Sequence, residues 1–70
     1  MAVDVLLKFM KEKKITHKRL AESLNINVAT LYRKLNSSDN FTIGQAKIIV
    51  DVLGLSKSEA ESIFFDTYVA

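Results

Sequence analysis

The chain has 70 residues, 49% of them hydrophobic, which suits one small core in a single domain over residues 1–70. It has no cysteine and one histidine, which excludes a disulfide framework, a thiolate metal site and a zinc site; by count only a carboxylate site for a hard cation stays open. Residues 1–36 carry Lys8, Lys11, Lys13, Lys14, Lys18, Arg19, Arg33 and Lys34 against Asp4, Glu12 and Glu22 (+5), while residues 37–70 come to −3, so one half suits a polyanion and the other does not.

There is no proline, only two glycines interrupt the chain, and apolar spacing is helical throughout: an all-α chain of five helices. The first helix covers about Ala2–Lys13, with Leu6, Phe9 and Met10 at i, i+3, i+4 as its core stripe. Lys13 and Lys14 suit the negative end of its dipole, and Ile15 is expected as a buried plug. The second runs from Thr16, an N-cap, to Leu24, with Leu20 and Leu24 inward and Ala21 small enough for another helix to approach. Asn25 can take the left-handed conformation that ends a helix, Ile26 turns back into the core, and Asn27 can cap the third helix. That helix, about Val28–Leu35, has Leu31 and Leu35 as its inner face. Asn36 to Asn40 is the clearly polar loop. Thr42 and Gln45 have capping-box spacing at the start of the fourth helix, which ends at Leu53 before Gly54. Ser56 and Glu59 repeat that spacing for a fifth helix, which carries Ile63, Phe64 and Phe65 and frays into Asp66–Ala70.

Helices two and three, Thr16–Asn36, form a helix pair with a tight turn, and the outer face of the second member is short, aromatic and basic. The major groove of DNA admits a helix and presents a distinct hydrogen-bond pattern for each base pair. Val28 and Ala29 can touch thymine methyls, Arg33 can pair with guanine or hold a phosphate, and Tyr32 can bond a phosphate or pack on a thymine methyl. These four are the candidate base readers. Helix N-termini suit phosphates, so Thr16, His17 and Lys18 at the second helix, Thr30 on the side of the third, and Asn36, Ser37 and Ser38 beyond it are the candidate phosphate contacts.

The stretch LAESLNINVATLYRKLN resembles the helix-turn-helix of the lambda-repressor-like family, the Cro/repressor-type regulators of phages and prophages, through Leu20-Ala21, Leu24, the turn, Ile26, Thr30-Leu31 and Leu35-Asn36. With FTIGQAKIIVDVLGLS and SIFF, the resemblance to small proteins of Gram-positive phages spans nearly the whole chain. It implies a compact five-helix DNA-binding domain, operator binding by the third helix, and often a twofold dimer on a palindromic site. By the same resemblance His17 takes the place of a Gln that contacts DNA. Asn25 stands where the family has a turn glycine and Lys34 where many members are apolar, so either Lys34 snorkels or the packing there differs. Val28 and Ala29 lack the adenine-reading Gln of many members, which shifts recognition toward methyl contact and DNA shape.

The expectation is a regulator that represses by occupancy, with double-stranded operator DNA as partner and no catalytic residue, cofactor, metal or small-molecule ligand. A homodimer, formed free or only on DNA, would draw on the surplus apolar residues Ile48, Val52, Phe64, Phe65, Tyr68 and Val69, unless these serve to pack the C-terminal segment on the fourth helix. The alternative is an antirepressor or antitoxin-like interaction module that keeps the fold without specific DNA binding. No apolar run approaches membrane-spanning length, and a cytoplasmic, nucleoid-associated location in a bacterial cell or phage-infected host is expected.

Overall fold

The computed structural model describes the backbone of residues 1–37 and 41–69, and the side chains of residues 1–37 and 41–65. Among these, five helices and no strand follow in chain order: α1 (Val3–Glu12), α2 (His17–Ser23), α3 (Val28–Asn36), α4 (Ile43–Leu53) and α5 (Lys57–Val69). The all-α class matches the expectation. Asn36, expected in the loop, is instead the last residue of α3, and α5 continues to Val69.

Each helix turns one apolar stripe to a shared core. Leu6 and Met10 come from α1, Leu20 and Ala21 from α2, Leu31 and Leu35 from α3, and Ala46, Ile49 and Leu53 from α4. Phe9, Ile15 and Ile26 are half-buried and pack against it. Phe41 and Ala46, flanking the Thr42 cap, are both buried as a hydrophobic staple would have them. Through these stripes α2 packs on α3 and α4, and α5 on α1 and α4. Burying a leucine contributes about 1.5–3 kcal/mol. A domain of this size holds only about 4–10 kcal/mol in total, so one anchoring leucine matters to the whole fold.

Three helices end in the same way. After α1, the Lys14 N–H donates to the Lys11 carbonyl (3.2 Å) and the Ile15 N–H to that of Met10 (2.9 Å). After α2, Asn25 donates to Glu22 (3.1 Å) and Ile26 to Ala21 (3.0 Å); after α4, Gly54 donates to Asp51 (3.2 Å) and Leu55 to Val50 (3.0 Å). Lys14, Asn25 and Gly54 are left-handed, with φ of 58°, 57° and 61°. These are Schellman motifs: the left-handed residue lets two N–H groups satisfy carbonyls the helix end would leave open. In each, an apolar residue follows and packs on the core, and an N-cap comes next: Ile15-Thr16, Ile26-Asn27 and Leu55-Ser56. The Thr16 hydroxyl oxygen accepts from the Arg19 N–H, Asn27 Oδ1 from the Ala29 N–H, and Ser56 Oγ from the Glu59 N–H. The chain thus reverses in three or four residues without loose loop. Asn25 and Gly54 were legible as helix ends; the same role for Lys14 was not foreseen.

Both expected capping boxes form, at Thr42–Gln45 and Ser56–Glu59. The Ser56 N–H donates to the Glu59 carboxylate at 2.8 Å, and this bond holds the carboxyl below the usual glutamate value.

Within α5, Phe64 departs from helical geometry (φ −112°, ψ 27°), and the carbonyl of Ile63 accepts from the Ala2 N–H at 2.9 Å. At this break in the helix Ile63 and Phe64 both lie in the core, 1% and 0% exposed. Phe64 was expected among the surplus residues of a dimer surface; it is a core residue, and that assignment is corrected. No helix among the described residues is long and apolar enough to cross a membrane.

Candidate nucleic-acid interface

The unit that carries the candidate site is α2 and α3. Ala21 is buried in the core on α2, and the left-handed Asn25 turns the chain so that Asn27 can cap α3. Leu31 and Leu35, 0% and 7% exposed, anchor α3 from below. Ala29 and Arg33 are exposed on the opposite face, and Tyr32 and Val28 are exposed along its flank, Val28 nearest the buried stripe. Val28–Tyr32 and Ala29–Arg33 are i, i+4 pairs, so the four make two adjacent ridges on one side. From Val28 to Arg33 the axis advances about 7.5 Å, roughly two base-pair steps of about 3.4 Å. A helix of ordinary diameter fits the major groove, about 12 Å wide.

The candidate phosphate contacts differ in exposure. Thr16 is exposed; its oxygen caps α2, and its O–H can still donate. Lys18 is exposed, Thr30 half-buried, and Asn36 and Ser37 exposed at the far end of α3. Ser38 lies outside the described residues. Lys34, expected to snorkel, is half-buried, with its ammonium 5.7 Å from the centroid of the Phe41 ring, inside cation–π range. Lys18, Arg19 and Arg33 are exposed cations on α2 and α3, against Glu22 as the one acidic residue of those helices.

One contact joins two residues that sequence reasoning had given separate roles. The rings of His17 and Tyr32 stack, with centroids 4.6 Å apart and planes 10° from parallel. This couples the start of α2 to the outer face of α3. Spacing along the chain carries no signal for it, because the residues belong to different helices.

The candidate dimer residues divide. Phe65 and Ile48 are 63% and 37% exposed, Val52 is half-buried against the core, and Phe64 is buried. The side chains of Tyr68 and Val69 lie outside the described residues. Ile43, 54% exposed at the first turn of α4, is an apolar surface residue the sequence reading had not set apart.

The family model of the Cro/C1-type HTH DNA-binding domain matches residues 5–63, which takes in α1 from Val5 onward, α2 to α4 and the first half of α5. No curated protein and no solved structure matches the chain.

Proposed function

The chain belongs to the Cro/C1-type helix-turn-helix DNA-binding domain family, and we propose that it is a sequence-specific transcriptional regulator of phage or prophage type, a repressor that lays α3 in the major groove of operator DNA. The observation that carries this is the division of α3: Leu31 and Leu35 fixed in the core, Ala29 and Arg33 exposed on the other side, and Tyr32 and Val28 exposed along the flank. In this reading Arg33 pairs with guanine, Val28 and Ala29 meet thymine methyls, and Tyr32 packs beside them. Thr16, His17, Lys18, Thr30, Asn36, Ser37 and Ser38 set the register on the backbone. Repression is by occupancy and has no catalytic step; the site of action is the nucleoid of the bacterial cell or infected host.

Four readers over so short a rise address few base pairs, so useful specificity calls for two copies on a palindrome. The longest extent of the chain is 27 Å, while half-sites one turn apart are centred about 34 Å from each other. Two copies so placed have room for a contact through side chains, and Ile48, Val52 and Phe65 are the described apolar residues proposed for it.

Selection of bound duplexes from random DNA tests the reading. A palindromic motif with one-turn spacing supports it. No enrichment at any salt concentration would transfer the fold to the interaction-module class.

A further inference from the structure

We propose that His17 is a positioning residue for base recognition: stacked on Tyr32, its imidazole holds the tyrosine ring in one orientation, so that Tyr32 enters the groove preset. This rests on the DNA-reading role of α3 and adds to it. The observation is the near-parallel stack, 4.6 Å between centroids. Tyr32 is 48% exposed and stands on the outer face of α3, where the helix itself offers little to restrain its ring. His17 is half-buried at the first position of α2, whose start is fixed by the Thr16 cap. The better-held ring therefore braces the freer one. An aromatic side chain that must be ordered on binding loses affinity through rotamer entropy, and one ordered beforehand does not. Parallel aromatic pairs are worth enough to shift such an equilibrium by roughly two- to tenfold.

A residue that only touched phosphate would act differently. Its loss would weaken binding on all sequences and flatten the salt dependence. Loss of a positioning residue erodes selectivity at the base pair that Tyr32 faces.

The experiment has two parts. In the free protein, the His17 ring protons are expected upfield by the tyrosine ring current in proton NMR, and Tyr32→Ala returns them. On the selected duplex and its single-base variants, His17→Ala and Tyr32→Ala are expected to lose selectivity at the same base pair, roughly two- to tenfold, and the double variant little more than either alone. His17→Phe, which keeps a stacking ring and removes the polar edge, is expected to restore that selectivity. Absence of the ring-current shift overturns the proposal, as does a uniform loss in His17→Ala that Phe fails to rescue, or a gain in affinity showing that Tyr32 must leave the stack to bind. A protein that selects no sequence while keeping the ring-current shift overturns the DNA-reading role beneath it instead.

Discussion

Gly54 and Lys14 occupy the same left-handed position in two Schellman motifs, and substituting them should move stability in opposite directions. At Gly54 φ is 61°, and a Cβ placed there meets nothing within 4 Å. Gly54→Ala therefore costs backbone strain and no clash. Left-handed geometry costs an ordinary L-residue about 1–2 kcal/mol, and alanine recovers about 0.4–1 kcal/mol by restricting the unfolded chain. The net is a loss of about 0–1.6 kcal/mol, centred on about 0.8 kcal/mol, or roughly 3–6 °C in Tm for a domain of this size. Lys14 holds φ 58° with a full side chain, so Lys14→Gly releases the strain. It also removes a charge near the C-terminal end of α1, a few tenths of a kcal/mol, so its gain is smaller, about 1–5 °C. Thermal unfolding followed by far-UV circular dichroism reads both, and the double variant should melt close to the parent. Shifts of the same sign, or no shift in either, would refute the assignment of strain to these positions.

Arg33→Ala should weaken binding to the selected operator by about 1–3 kcal/mol and relax preference at one base pair; unchanged affinity and preference in a binding titration would remove Arg33 from the readers. Ala21→Leu forces a larger side chain into the core beneath α2, where Ala21 is 2% exposed, and should destabilise by about 1–3 kcal/mol, so a native melting temperature would contradict tight packing there. The folded-state pKa of Glu59 is lowered by the Ser56 N–H. Its contribution is therefore present above the unfolded value, about 4.3, and is lost as pH falls through the lower folded one. Glu59→Gln keeps a capping-box acceptor without the charge, and acid titration of stability should be shallower in that variant.

Much of the fold was legible because its signals are local. Thr16, Asn27, Thr42 and Ser56 stand before apolar stripes and cap as expected. Asn25 was readable because asparagine tolerates left-handed geometry; Lys14 carries no such mark. The repeat would have found it, since Lys14-Ile15-Thr16 parallels Asn25-Ile26-Asn27 and Gly54-Leu55-Ser56. Phe64 was misplaced because which apolar residues of α5 face the core is set by how that helix packs on α1 and α4, which its own spacing does not carry. The outer face of α3 followed from the period of Leu31 and Leu35. The His17–Tyr32 stack could not, because it depends on how two helices are set against each other.

The central claim is that α3 reads bases from the major groove, and base analogues in the selected duplex test it most directly. Replacing guanine by 7-deazaguanine removes a major-groove acceptor, and replacing thymine by uracil removes the methyl there; inosine in place of guanine removes only the minor-groove amino group. The account predicts that the first two changes weaken binding at the positions facing Arg33, Val28 and Ala29, while inosine leaves it nearly intact. Sensitivity to inosine with indifference to the major-groove changes would contradict it.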